Sequence, residues 1–506
     1  MGIVARQSIK GTITNYVGVA VGFVTTFFVM TKYLTLEEVG LTRVMADAAI
    51  LLSGLAALGT NTSALRYYPY FKDENSRDHG FFGWTVIIPA VGFVIFSILF
   101  FVFKDLIINI FSSKSELFVD YIYFVIPMAF FMMYMTVFET NANILMRIVV
   151  PKFVREVGIR LLTLADYILY ITKVIDLDGM IIGLCLIYVV ATLLNIIYLL
   201  TLSKISFKIE RGYISAWLRK DFLFYTLFLT VAAVIGNIIP SLNTFFVTAQ
   251  LGLTITGIYT IASYMANLVE MPYRSLSAIS RPIISQAMKD NDNQRASEMC
   301  KSVSLHQLIA GAFVFFIIWI NIDLFFELLP NGDKYAEGKW LFFLLGLAKL
   351  INSSLNIGVT VLSYSKYYYL QLIFTAILTA SAIILNNKLI PIYGMIGTAW
   401  SSIISFSIYY LLLLSLIIWK TKISLFSWKE VEVVLIVVLL FVINWLTFEY
   451  VIKSIIYLKD TGVVVKLLEA TFRTVILVVI GLFLIYKTKI SKEINEIINK
   501  FTRRFG

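Results

Sequence analysis

The feature that most constrains this chain is that its first part is repeated in its second part. The tetrapeptide Thr-Phe-Phe-Val at residues 26–29 returns at 244–247, and Gly-Met-Ile-Ile-Gly at 179–183 returns as Gly-Met-Ile-Gly at 394–397. The offset between matching positions stays between 214 and 218, so the order and the lengths of the elements are preserved. Because the sequence between the matches is almost entirely apolar, the repeat predicts two similar membrane bundles, an arrangement typical of alternating-access transporters.

The composition fixes the environment of these bundles. Hydrophobic residues make up 59% of the 506 residues and charged residues only 14%, whereas a soluble domain carries about 25% charged residues. A chain of this length has too little charge to cover a water-exposed surface. We therefore predict an all-α integral membrane protein.

Apolar runs of about 18 residues or more predict the individual membrane-spanning helices. Fourteen such runs lie at roughly 11–31, 40–59, 81–103, 117–138, 153–172, 180–202, 222–247, 253–279, 303–322, 340–362, 367–386, 393–419, 431–449 and 467–486. They predict a six-helix repeat at 1–215, a second at 216–425, two extra helices at 426–490 and a basic tail at 491–506. An even number of spans per repeat makes the two repeats parallel.

The distribution of basic residues predicts the orientation, because cytoplasmic loops are enriched in Lys and Arg. With the N-terminus in the cytoplasm, the cytoplasmic segments hold 27 of the 42 Lys and Arg residues, so we predict that both termini are cytoplasmic. The net charge of +11 is then a consequence of topology, and no nucleic-acid partner is expected.

Several kinds of chemistry lack the residues they need. No GxxxxGK[ST] phosphate-binding loop is present. Neither His79 nor His306 has a partner at metal-ligand spacing, and Cys185 and Cys300 are too far apart to form a disulfide. The longest predicted outer loops, 323–339 and 450–466, leave no room for a catalytic domain. We therefore expect no enzyme activity, no catalytic residue, no cofactor and no metal site.

Charged residues inside the predicted spans are the candidates for function, because a charge within a membrane is costly unless it is paired or hydrated. Three acid–base pairs have the four-residue spacing that allows an ion pair on one helix face: Arg43 with Asp47, Glu270 with Arg274, and Glu469 with Arg473. Such pairs are equally compatible with simple contacts between helices and head groups. Pro272, between Glu270 and Arg274, predicts a kink that aims both into a cavity.

Three further charges have no such neighbour. Arg160 and Asp166 lie six residues apart on different faces of one span and need partners elsewhere, and Lys349 stands alone in its span. The embedded set is mildly cationic, and Arg suits a phosphate because its planar fork binds two oxygens at once. We therefore predict an anionic, phosphate-bearing ligand. The candidate ligand-binding residues are Arg43, Arg160, Arg274 and Lys349, and the candidate ion-coupling residues are Asp47, Asp166 and Glu270.

The opening of the chain resembles a known family. Gly-Leu-Thr-Arg at 40–43, Leu58-Gly59 and the segment Arg-Tyr-Tyr-Pro-Tyr-Phe-Lys at 66–72 resemble bacterial polysaccharide biosynthesis proteins, the Wzx-type flippases for lipid-linked O-antigen units. These belong to the superfamily that contains the multidrug/toxin extruders and the lipid II flippases. The resemblance implies a bacterial inner-membrane location and a cationic cavity for the diphosphate-sugar head of a polyprenyl-linked glycan. It implies cavity positions for Arg43, Asp47, Arg160, Arg274 and Lys349, and suggests a polysaccharide polymerase and a chain-length regulator as partners.

The expected function is therefore transport of an undecaprenyl-diphosphate-linked oligosaccharide across the inner membrane by alternating access. Two alternatives are transporters of the same superfamily, a cation-coupled multidrug exporter and a lipid II flippase. A membrane polymerase or ligase is an alternative from another class. Drug susceptibility, lethality of a deletion and glycan chain length, respectively, discriminate these alternatives from the first.

Overall fold

A computed structural model describes residues 3–73, 77–202, 210, 216–447, 462–491, 493–496 and 499. Of residues 3–13, of several residues between 216 and 240, and of residues 77, 274, 275 and 278 it describes the backbone but not the side chain. The described chain is helical, without a β-strand, and contacts divide it into two units, Met1–Thr260 and Ile261–Gly506.

Among the described residues, the first unit contains eleven α-helices of more than three residues and the start of a twelfth. They are α1 Ile3–Val24, α2 Leu36–Ala56, α3 Thr60–Tyr67, α4 Phe81–Val102, α5 Lys104–Phe111, α6 Glu116–Tyr121, α7 Val125–Ile144, α8 Val149–Phe153, α9 Ile159–Ile171, α10 Leu177–Leu202, α11 Ala216–Leu251 and α12 Leu253–Leu268. Two π-helical segments, Thr25–Met30 after α1 and Val154–Gly158 between α8 and α9, interrupt the regular turns.

Between residues 261 and 488, the described part of the second unit contains the rest of α12 and ten further α-helices. They are α13 Met271–Lys289, α14 Asn293–Ile320, α15 Ile322–Leu328, α16 Gly332–Tyr335, α17 Lys339–Leu355, α18 Ile357–Tyr364, α19 Leu370–Tyr393, α20 Ile396–Thr421, α21 Trp428–Asn444 and α22 Val463–Thr488.

Helix ends are fixed by local sequence. Thr35 and Glu38 form a capping box at the start of α2, in which Glu38 N donates to Thr35 Oγ1 at 3.2 Å and Thr35 N donates to Glu38 Oε2 at 2.8 Å. Ser427 and Glu430 form a second capping box at α21. Each box satisfies backbone N–H groups that a helix start leaves without partners.

The interior of each unit is apolar. In the first unit, α2 packs against α7, and α7 against α10, around fully buried side chains such as Leu41, Met45 and Met180. In the second, α14, α21 and α22 share a core that includes Phe316, Leu440 and Leu477.

The membrane class is confirmed. Eleven helices among the described residues are long and apolar enough to cross a membrane. The other three predicted spans are 153–172, which carries several charges, 222–247, which lies within α11, and 253–279. The total of fourteen spans and the cytoplasmic termini stay predictions.

The predicted span 253–279 is divided between two helices. The chain ends α12 at Leu268 and starts α13 at Met271, with Glu270 as the residue before the new helix. Pro272 lies in the first turn of α13, where its missing N–H costs no helical hydrogen bond. The kink predicted at Pro272 is therefore a break between two helices, with the proline in the first turn of the second.

One contact in the first unit joins equivalent positions of the predicted repeats. A Cβ on Gly40 would lie 2.2 Å from the carbonyl oxygen of Leu253, and a Cβ on Gly257 would lie 2.2 Å from the carbonyl oxygen of Leu36. Leu36 and Gly40 match Leu253 and Gly257 in the repeat. The backbones of α2 and α12 thus approach each other at a distance that only glycine permits.

Candidate functional site

The first predicted ion pair is present on α2. Arg43 Nε donates to Asp47 Oδ2 at 2.9 Å, and the Asp47 side chain is buried. The four-residue spacing of the two residues places them on one helix face, as the sequence predicts. The charges of Arg43 and Asp47 therefore compensate each other within one helix.

The main partner of Arg160 lies on another helix. This agrees with the sequence, in which Asp166 lies on a different face of the same span and cannot pair with Arg160. Its Nη1 donates to the backbone oxygen of Gly18 on α1, and its Nη2 lies 3.4 Å from Glu156 Oε2. A Cβ on Gly22 would lie 2.6 Å from that Nη1. The small residues of α1 therefore make room for the guanidinium, which keeps about a third of its surface exposed, at 35%.

Asp166 is buried on α9 against α10. A Cβ on Gly183 would come within 1.9 Å of Asp166 Oδ1, so the carboxyl packs directly on the glycine. Among the described residues, no group donates a hydrogen bond to its Oδ2. A buried carboxyl without a partner is costly, and the partner that the sequence predicts for it is not found among these residues.

A further charged cluster lies in the π-helical segment before α9. Arg155 Nη2 lies 2.5 Å from Glu139 Oε2 and donates to Thr136 Oγ1 at 2.9 Å, which joins the segment to α7. Sequence reasoning named only Arg160 and Asp166 in the span 153–172, and it therefore missed this pair. A π-helical turn depends on tertiary packing, so no pattern of spacing indicated it.

In the second unit, Lys349 is not alone. Its Nζ lies 3.1 Å from Oε2 of Glu270, 79 residues earlier in the chain, so the charged partner that its own span lacks comes from another part of the chain. The break between α12 and α13 places Glu270 beside α17, which no local spacing predicts. The Arg274 side chain lies outside the described residues, so the predicted Glu270–Arg274 pair stays a prediction.

Four polar side chains extend the Glu270–Lys349 pair into a network. Asn352 Nδ2 donates to Glu270 Oε1 at 2.7 Å, and the hydroxyl of Tyr410 donates to Asn352 Oδ1 at 2.8 Å. Asn356 Nδ2 donates to the Tyr410 hydroxyl at 3.3 Å, and Tyr273 donates to Asn356 Oδ1 at 2.6 Å. Sequence reasoning missed these residues because Asn and Tyr in a span carry no charge signal.

The third predicted pair, Glu469 with Arg473, links α22 to α14. Arg473 Nη1 lies 3.6 Å from Glu469, and its Nη2 donates to the Ile320 carbonyl oxygen at 2.8 Å. The same Nη2 lies 3.2 Å from Asn321 Oδ1. These bonds to the end of a neighbouring helix fit the interpretation of this pair as a contact between helices.

At the end of α3, outside the predicted spans, Tyr67 anchors a polar contact to α11. Its hydroxyl donates to Asp221 Oδ2 at 2.6 Å, and Arg66 lies 4.0 Å above the ring of Tyr225. Burial, followed by the hydrogen bond to Asp221, raises the pKa of Tyr67 to about 12. The contact therefore depends on a protonated tyrosine.

Among the described residues, no three His, Cys, Asp or Glu side chains are grouped closely enough to hold a metal ion. Cys185 and Cys300 are both buried free thiols.

Comparisons with known proteins agree on one kind of fold. A family model described as polysaccharide biosynthesis protein matches residues 5–288. No curated protein sequence matches the chain significantly. Lipid II flippase MurJ in an inward closed conformation superposes with a TM-score of 0.72 at 15% identity, over 96% of this chain and 100% of that chain.

Two further solved structures are similar over a smaller part. An inward-facing multidrug resistance MATE family transporter of the MOP superfamily has a TM-score of 0.62 at 15% identity, over 83% of this chain and 99% of that chain. A MOP superfamily transporter from Pyrococcus furiosus has a TM-score of 0.57 at 15% identity, over 83% of this chain and 96% of that chain. At such identities, the likeness shows the fold.

Proposed function

Because this chain belongs to the family of polysaccharide biosynthesis proteins, we propose that it is a flippase for undecaprenyl-diphosphate-linked oligosaccharides. It would move these units across the bacterial inner membrane by alternating access, for assembly of a surface polysaccharide such as O-antigen or capsule. The chain has the fold of MOP-superfamily transporters and is a multi-pass membrane protein. The ligand and the location are our proposal.

One observation supports this ligand above the others. Within the helical bundles, cationic side chains lie beside carboxylates in contacts that a phosphate group can replace: Arg160 with Glu156, and Lys349 with Glu270. Both cations keep about a quarter to a third of their surface exposed, at 35% and 27%, so they are not sealed in the core. Charged hydrogen bonds to a diphosphate are strong in such surroundings.

In this proposal, Arg160 and Arg274 contact the diphosphate first from the inner side, Lys349 lines the cavity, and Arg43 binds it after the conformational change. Asp47, Asp166 or Glu270 takes up a proton or a sodium ion and couples transport to an ion gradient. The buried Asp166, whose Oδ2 has no donor among the described residues, suits this role because binding of a cation removes the cost of its charge.

The predicted domain layout is part of the proposal. Residues 1–215 and 216–425 form the parallel repeats, 426–490 adds two helices, and 491–506 forms a cytoplasmic tail. A polysaccharide polymerase and a chain-length regulator are the proposed partners, because they act on the same glycan after it crosses the membrane.

The similarity to MurJ makes a lipid II flippase the second candidate. The two ligands share the polyprenyl diphosphate and differ in the glycan, so the charged residues have the same role in both. Deletion of the gene separates the two, because loss of lipid II transport is lethal and loss of a surface glycan is not.

The test compares the surface glycan of a deletion strain with that of strains carrying substituted proteins. We expect the deletion to lose the glycan and to accumulate lipid-linked units on the inner side. Arg160→Ala and Lys349→Ala should fail to restore it. Arg147→Ala, which removes an exposed arginine in the turn after α7, is the matched control and should restore it.

An unchanged glycan profile in the deletion strain would contradict the proposal. A raised susceptibility to drugs in that strain would favour a multidrug exporter instead. If all four of Arg43, Arg160, Arg274 and Lys349 tolerate alanine without loss of glycan, their proposed roles are wrong.

A further inference from the structure

The carboxylate of Glu270 has both of its oxygens occupied by donors from one helix. Lys349 Nζ lies 3.1 Å from Oε2, and Asn352 Nδ2 lies 2.7 Å from Oε1. Lys349 and Asn352 are three residues apart on α17, so their side chains project from the same face. The two donors therefore form a preassembled pair directed at two acceptor oxygens.

A hydrogen bond from Tyr410 fixes the orientation of the Asn352 amide. The Tyr410 hydroxyl donates to Asn352 Oδ1 at 2.8 Å, which leaves only the amide N–H₂ to face Glu270. Tyr410 itself is buried at 2% exposure and accepts from Asn356 Nδ2 at 3.3 Å. The hydroxyl of Tyr273 donates to Asn356 Oδ1 at 2.6 Å.

The hydrogen bonds of this network all run in one direction, towards Glu270. Tyr273 donates to Asn356, Asn356 to Tyr410, Tyr410 to Asn352, and Asn352 to Glu270. Hydrogen bonds in one direction polarise one another, which strengthens the last donor. The site at the end of the network accordingly presents only donors, which the oxygens of a carboxylate or a phosphate can accept.

We propose that Lys349 and Asn352 form an oxyanion site that Glu270 occupies in place of a phosphate group of the ligand. Displacement of Glu270 opens the site, and one phosphate of the ligand takes over both hydrogen bonds. Asn352 and Tyr410 act as positioning residues, since they hold the donor pair in place whether Glu270 or the ligand is bound. The chemical class follows from the donors, and its identification as a lipid-linked diphosphate rests on the proposed function.

The proposal makes Glu270 a competitor of the ligand. Removing its charge should strengthen anion binding, whereas the loss of a residue that only holds the fold together should weaken it. We expect Glu270→Gln to bind inorganic pyrophosphate about tenfold more tightly than the unchanged protein, measured by calorimetry on the purified full chain in nanodiscs. Glu337→Gln, which neutralises an exposed carboxylate just before α17, is the matched control and should bind like the unchanged protein.

Two double variants locate the binding. In the Glu270→Gln background, Lys349→Met should abolish the gain, because the charged donor is lost. Tyr410→Phe in the same background should reduce the gain severalfold, because the Asn352 amide is then free to rotate. Thermal unfolding of each variant verifies that the protein is folded.

Three results would overturn the inference: equal or weaker pyrophosphate binding by Glu270→Gln, a gain that survives Lys349→Met, or the same gain in Glu337→Gln. The outcome is separable from the proposed function, because pyrophosphate binding requires no glycan. If deletion leaves the surface glycan unchanged but Glu270→Gln gains affinity, the anion site stands and the flippase proposal falls. The reverse combination leaves the flippase proposal intact and removes the anion site.

Discussion

At the residue scale, the difference between local and distant partners decides which contacts the sequence predicts. Arg43 and Asp47 share one helix turn, so their spacing alone predicts the pair that the structure contains. Glu270 and Lys349 lie 79 residues apart and meet through the packing of separate helices. Residue spacing does not encode which helices pack together.

Asp166 provides a prediction about stability. We expect Asp166→Asn to raise the free energy of unfolding by about 1 kcal/mol or more, because a buried amide costs less than a buried carboxylate without a donor. Thermal unfolding of the purified protein measures the change. Asp105→Asn on the exposed side of α5 is the control and should change stability by about 0.5 kcal/mol at most. A loss of stability in Asp166→Asn would contradict the absence of a donor.

Tyr67 provides a prediction about pH. Its pKa is raised to about 12 in the folded protein by burial and by Asp221, above the ordinary value of 10.0. The neutral hydroxyl therefore stabilises the fold fully below pH 10, and this stabilisation is lost as the pH rises towards 12. We expect Tyr67→Phe to be less stable than the unchanged protein at neutral pH, with a difference that shrinks between pH 10 and pH 12 in alkaline unfolding. A difference independent of pH would contradict this.

At the element scale, the length of apolar runs in the sequence predicts the helices well but does not predict their irregular turns. The class of the fold follows from runs of apolar residues, and the structure confirms it. The π-helical segments Thr25–Met30 and Val154–Gly158 leave no mark in that pattern, because they respond to the neighbouring helices. Arg155, in the second of these segments, is therefore absent from the predicted site residues, although its charge is visible in the sequence.

The glycine contact between α2 and α12 provides a prediction at this scale. We expect Gly40→Ala and Gly257→Ala to push the two helices apart, because each added Cβ would lie 2.2 Å from a backbone oxygen that cannot rotate away. Glu37 and Thr254 flank the contact with side-chain oxygens 3.3 Å apart, so the disulfide yield of Glu37→Cys with Thr254→Cys reports the separation.

The control for this experiment is Gly462→Ala, because a Cβ there meets nothing within 4 Å. We expect the disulfide yield to fall in the two contact variants and to stay unchanged in the control. A yield that is unaffected by Gly40→Ala would mean that the helices do not depend on this approach.

At the scale of the whole molecule, the predicted orientation in the membrane can be tested at the two ends of one span. Lys334 and Lys366 are exposed residues at opposite ends of the span Gly332–Tyr364. The native thiols Cys185 and Cys300 are buried, so an introduced cysteine reacts against a low background. We expect a membrane-impermeant maleimide to label Lys334→Cys in intact cells and Lys366→Cys only after permeabilisation. The opposite pattern would invert the predicted topology.

The contact of Leu36 and Gly40 with Leu253 and Gly257 has the form of an interface between two identical subunits. Position 36 meets 257 and position 253 meets 40, so each of the two matching segments contacts the other in the same way. A single-repeat ancestor that dimerised about a two-fold axis would make this contact with its own copy. If such an ancestor were duplicated into one chain, each glycine would lie against the backbone opposite the other, as Gly40 and Gly257 do. A side chain at either position would then displace the other copy, so we expect both positions to stay glycine together.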